Sequence, residues 1–183
     1  MDFLDFEGQE LYFDAPLSSE VAGLLKQAAE SYPGVESEVL LMRGYFLEPE
    51  HLSVLVALYR YYYYQHRYHD ALLVSERALK VAGRLLGFRV DWQDLRLSEV
   101  GNGVMVSMGL IRFYLLALKA SGYLLMRVGT FEEAARRLDK LAELDANDQF
   151  GSAFLREMAH RSLQGSVEQD AAESESTLAT ASH

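Results

Sequence analysis

The chain contains no cysteine among its 183 residues. That absence excludes disulfide frameworks, thiolate catalysis, iron-sulfur ligation and cysteine zinc sites. Proline is almost as scarce, with three residues, and glycine numbers 13. A sandwich of many short strands needs more turn formers than this, so helices are favoured. No basic stripe or excess of positive charge is present to release phosphate counterions, which argues against bulk nucleic-acid binding. The longest apolar runs are broken by Arg, Lys or Gly before the ~20 residues of a membrane span, so no membrane partner is expected. The start, Met1-Asp2-Phe3-Leu4-Asp5, lacks the basic flank of a secretory signal, and a cytoplasmic location is expected.

The net charge of −10 is unevenly placed. Asp2, Asp5, Glu7, Glu10 and Asp14 crowd the first residues, and Glu168, Asp170, Glu173 and Glu175 crowd the last, with no base in either stretch. The body between them sets 18 acids against 17 bases, so a locally basic surface remains open there.

Internal repetition is the informative pattern. A first unit spans 18–51 and a second 52–85. In the second, Leu55, Leu58, Tyr59 and Tyr62 recur at helical spacing, Gln65-His66-Arg67-Tyr68 turns, and Ala71, Ser75 and Ala78 form a small-residue stripe on the next helix. In the first, Val21, Leu24, Leu25 and Ala28 are followed by a Pro33-Gly34 break and then by Ser37, Leu41 and Gly44. A third unit spans 115–148, with Leu118, Ser121, Gly122 and Leu125, a turn at Val128-Gly129-Thr130, and Phe131, Ala134, Leu138 and Leu141. A helix pair cannot bury both apolar faces alone, so such pairs must stack.

The remaining segments are read by composition. Residues 86–114 hold Trp92 and Gly101-Asn102-Gly103, taken as flexible, and form a degenerate helical pair or an insertion over one face, with Asp91 or Ser98 as caps. Residues 149–163, with Phe150, Phe154, Leu155 and Met158, suit a terminal capping helix. Residues 164–183 read as a disordered acidic tail. Residues 1–17 form an acidic arm carrying Phe3, Leu4, Phe6, Leu11, Tyr12 and Phe13, which either docks on a partner or folds back as a cap over Val21 and Leu24.

The runs Tyr59 to Leu79 and Gly122 to Asp148 resemble tetratricopeptide repeats. The family's small positions coincide with Gly122, Ala71, Ala78 and Ala134, and its large apolar ones with Tyr62, Tyr68 and Phe131. Departures are Ala146 in place of the usual proline and Leu141 in place of a small residue. The resemblance implies an all-α fold of tetratricopeptide-like antiparallel helical hairpins, stacked in a short right-handed array with a C-terminal capping helix. It further implies a concave groove lined by first helices, onto which Arg60, Tyr63, Tyr64 and Arg67 and, in the third unit, Lys119, Tyr123, Met126 and Arg127 would face. Tyrosine, arginine and methionine are the types enriched at protein interfaces. The alternative is that the 86–114 segment covers these side chains and they simply pack. Phe3 and Phe6 are the arm's candidate anchors.

Catalytic motifs fail on inspection, and neither an enzyme nor a cofactor is expected. Gly101-Asn102-Gly103 has Val106 in place of a dinucleotide loop's third glycine. His66 and His69 flank a turn. Glu48/His51 and Glu157/His160 have the Glu-x-x-His spacing of di-iron bundles, but Pro49 lies within the first pair and no further inward carboxylates match. The segment Leu52 to Leu79 is similar to accessory factors that accompany nitrogen-fixation systems. That resemblance implies a non-catalytic, chaperone-like binding module whose partner is a larger enzyme complex, nitrogenase or its maturation intermediates. Two other readings stay open: a chaperone resembling the repeat-containing chaperones of type III secretion, and a metal-dependent helical enzyme using the Glu-x-x-His pairs.

Overall fold

In a computed structural model, residues 16–166 are described, and among them every regular element is a helix. The order is α1 (Ser19–Glu30), α2 (Val35–Leu47), α3 (Leu52–Tyr64), α4 (Tyr68–Leu85), a single 3-10 turn at Trp92–Asp94, α5 (Leu97–Val106), α6 (Met108–Arg127), α7 (Phe131–Leu144) and α8 over 153–166. Consecutive helices pack in the pairs α1/α2, α3/α4 and α6/α7, with α2 against α3 and α4 against α6 joining one pair to the next.

Local chemistry sets the boundaries. Ser18 caps α1 by accepting from the Val21 N–H at 3.3 Å, and Ser107 caps α6 by accepting from the Leu110 N–H at 3.2 Å. The turns after α3 and α6 each need a residue at positive φ, His66 at 57° and Gly129 at 81°. The small residues of the repeat pattern sit where helices touch. A Cβ added to Gly122 would lie 2.9 Å from Leu138 Cγ, so the α6/α7 approach depends on the bare glycine. Ala71 and Ala134 are fully buried.

Four expectations are corrected. The first helix of the third pair begins at Met108, not Leu115, because Ser107 caps it there and Leu110, Ile111 and Phe113 are already core residues. Gly101-Asn102-Gly103 is helical, not flexible; Gly103 backs so closely onto Ile111 that a Cβ would fall 2.5 Å from its Cδ1. Neither Asp91 nor Ser98 caps by its side chain; the Arg96 N–H is held instead by Glu99 Oε2 at 2.7 Å. Residues 164–166, assigned to the tail, continue α8, and those beyond lie outside the described residues.

α6 has the length and composition of a membrane span, with 20 residues and a mean hydropathy of 1.3. It is 67% buried, packed against α4 and α7, which is the position of a core helix. Trp92 is buried beneath the Arg137 guanidinium, 5.0 Å from its ring centroid. α8 closes the last pair: Leu155 and Ala159 join Leu125, Ala134 and Leu138 in one cluster.

Candidate functional site

The site of greatest interest lies between α1 and α3. Ala57, Arg60, Tyr61 and Tyr64 stand at i, i+3, i+4 and i+7, so they share one face of α3. Leu25, Ala28, Ala29 and Tyr32 repeat the same spacing on α1 and just beyond its end. The two stripes line a groove of about 350 Å³ floored by Leu41 of α2. Tyr32 meets Tyr61 edge to face, with centroids 6.2 Å apart and planes at 88°. Tyr32 and Tyr64 are 45% and 39% exposed, which leaves aromatic surface open along the walls, with the Arg60 cation among them. Tyr61 is buried, and desolvation raises its phenol pKa. This wall residue and the α1 stripe were not among the residues expected to form the site.

The expected groove residues do not form one surface. Arg60 and Tyr64 line the α1/α3 groove. Tyr63 instead joins Tyr68, Tyr123 and Arg127 in a second cluster. Its ring lies 6.2 Å from those of Tyr68 and Tyr123, and the Arg127 guanidinium sits 4.3 Å over Tyr68 while donating to Tyr123 Oη at 2.9 Å. That hydrogen bond heads the causes that raise the Arg127 pKa. Arg67 faces α2, where it forks onto Glu38 at 2.7 and 2.8 Å, pairs with Asp70 at 2.7 Å and covers the Tyr62 ring. The Glu38 hydrogen bond is the largest cause raising its pKa. Tyr62 is core as expected, and burial, followed by the Glu38 charge, pushes its phenol up to about 12.

Two residues of the set also pack inward. Lys119 is buried and donates to the Phe150 carbonyl, because the turn between α7 and α8 folds across it. Met126 packs against the α7/α8 cluster. Phe3 and Phe6 lie outside the described residues.

Each side chain of the Glu-x-x-His pairs has a polar contact nearby. Glu48 accepts from the Ser18 N–H at 3.1 Å, and His51 Nδ1 accepts from the Ser53 N–H at 3.2 Å. The Ser18 side chain is the main cause that lowers the Glu48 pKa, with the backbone N–H a smaller one. Glu157 pairs with Arg161 at 2.5 Å, while His160 Nε2 lies 2.9 Å from Asp139. Of the turn histidines, His66 Nδ1 is 2.8 Å from Tyr68 Oη, and His69 is exposed.

Among the described residues these observations define an all-helical arrangement of packed helix pairs with an apolar, aromatic-walled groove between the first helices of the first two pairs. It matches no protein-family model and no solved structure. The chain belongs to the family of the uncharacterized 19.8 kDa protein in the nifW 5′ region of Azotobacter chroococcum mcd 1. It is 43% identical to that protein over 155 residues, 85% of this chain and 86% of the relative.

Proposed function

We propose that this chain is a non-catalytic accessory factor of nitrogen fixation, a tetratricopeptide-like array that holds a segment of a larger enzyme, nitrogenase or one of its maturation intermediates, in the α1/α3 groove. The observation that carries the reading is the pair of facing i, i+3, i+4, i+7 stripes, apolar and aromatic along their length, with Arg60 as the cation among them. Such a groove suits an amphipathic segment whose apolar side chains enter between Tyr32 and Tyr64 while an acid meets Arg60. The relative's place in a nifW region supports the choice of partner. The engaged carboxylates and imidazoles of both Glu-x-x-His pairs support a binding role over metal chemistry, since each has a structural partner.

The test is affinity for nitrogenase component proteins and their maturation intermediates, measured by calorimetry with purified partners. A double change of Arg60 and Tyr64 to Ala should weaken binding by at least ~2 kcal/mol, about 30-fold, if these residues anchor the contact. Tyr63 and Arg127 changed together to Ala serve as the comparison, since neither residue lines the groove. Full affinity in the first variant and loss in the second would move the interface to the α3/α6 cluster. No binding by the parent chain to any of these proteins would overturn the choice of partner.

A further inference from the structure

α2 has two apolar faces, and the described residues pack against only one. Ser37, Leu41 and Gly44 face the interior, while Val35, Val39, Met42 and Phe46 form a stripe at i, i+4, i+7 and i+11 on the outside. Val35, Val39 and Phe46 are 80%, 63% and 77% exposed, and with Leu47 they line a trough of about 470 Å³. Contiguous apolar surface left open marks a contact site.

The first described residues reach this trough's end. The Ser18 N–H donates to Glu48 Oε1 at 3.1 Å, directly after Leu47, so the described chain begins near this end of α2. The segment 1–15 carries Phe3, Leu4, Phe6, Leu11, Tyr12 and Phe13. Its length suffices: 15 residues span about 50 Å extended or ~22 Å as a helix, against ~20 Å for α2. The charges at the trough's rim are both paired within the fold, Glu38 with Arg67 and Arg43 with Glu20 at 3.0 Å, so the trough reads as an apolar surface. Val21, one of the cap's two expected targets, is packed under Gly44 of α2.

We propose that residues 1–15 lie along the outer face of α2 and cover the Val35-Val39-Met42-Phe46 stripe in the same molecule. This proposal is independent of the partner assigned to the α1/α3 groove, and its test uses no partner. Since the chain has no cysteine, Val39→Cys in the full chain supplies a single thiol whose maleimide labelling rate reports cover. Changing Phe3, Phe6, Leu11 and Phe13 to Ser in that background should accelerate labelling at least tenfold, and protection in the parent should persist on hundredfold dilution. Equal rates in the two chains would overturn the proposal. Protection lost on dilution, with a doubled mass at high concentration, would overturn it in favour of a second copy on the stripe. Acceleration at Ala57→Cys in place of Val39→Cys would put the segment in the α1/α3 groove instead. Phe46→Cys repeats the measurement at a second exposed position should Val39→Cys perturb folding.

Discussion

Gly122 and Gly23 are both helical glycines, and their surroundings give them opposite predicted responses to the same change. At Gly122 a Cβ meets Leu138 Cγ at 2.9 Å, whereas at Gly23 nothing lies within 4 Å. Gly122→Ala should destabilise by about 1–3 kcal/mol through overpacking of α6 on α7. Gly23→Ala should stabilise by roughly 0.5–1 kcal/mol, since it only removes backbone freedom from the unfolded chain. Chemical denaturation of the two variants beside the parent reads both signs. The small residues at Gly122, Ala71 and Ala134 were legible in the sequence because they recur in frame, and the frame alone says which side of each helix a neighbour will occupy. Lys119 was not legible. Its register places it beside Tyr123 on the helix, but a turn formed some 30 residues later decides that its amine meets the Phe150 carbonyl instead of water.

Among the elements, α8 is tied to α7 by charge. Asp139 of α7 accepts from Arg156 Nε at 2.6 Å and lies 2.9 Å from His160 Nε2, both on α8. Burial alone would raise the Asp139 pKa, but the hydrogen bonds and charges of His160 and Arg156 outweigh it and hold the group below its ordinary 3.8. The ionised carboxylate therefore contributes stability that is present above about pH 4 and disappears as the pH falls through the lowered folded value. Asp139→Asn should destabilise by about 0.5–1 kcal/mol at neutral pH, a small figure because these side chains are 39–49% exposed and screened. The difference from the parent should vanish towards pH 2. Melting curves at pH 2, 4 and 7 measure this, and amide exchange should show the loosening confined to α8. The helix pairs themselves were readable from periodicity, and α3 and α7 run close to their expected places. The start of α6 was hidden by two signals that mislead in isolation: the glycines at 101 and 103 look like a loop, and the 34-residue frame points to Leu115. Packing decides otherwise, since Gly103 is needed for contact with Ile111 and not for a turn.

Across the whole molecule, α6 connects what the repeat frame separates. It packs on α4 of the preceding pair and on α7 of its own, and α5 leans against both α6 and α7. Cutting the backbone between Val106 and Ser107 should therefore leave neither half folded. Circular dichroism of the separately produced halves should show each far less helical than the intact chain, with helicity regained on mixing if they reassociate. A half that melts cooperatively by itself would contradict this reading of α6. The α1/α3 groove illustrates the limit of legibility at this scale. The face of α3 bearing Arg60 and Tyr64 follows from residue spacing, but its opposite wall, Leu25, Ala29 and Tyr32, depends on how far apart two non-consecutive helices settle. Spacing within a helix is written locally; the distance between α1 and α3 is set by Leu41 and its neighbours in the layer beneath.

A chain of interchangeable hairpins can grow or shrink over generations by duplicating or deleting one of them. The 20-residue α6, shared between its neighbours, closes that route here. A new hairpin inserted ahead of it would strip Leu110, Phe113 and Ala117 of their cover, and one removed would leave α4 facing solvent. Related genes should accordingly vary in their terminal extensions and surface loops while keeping the same number of helices between them.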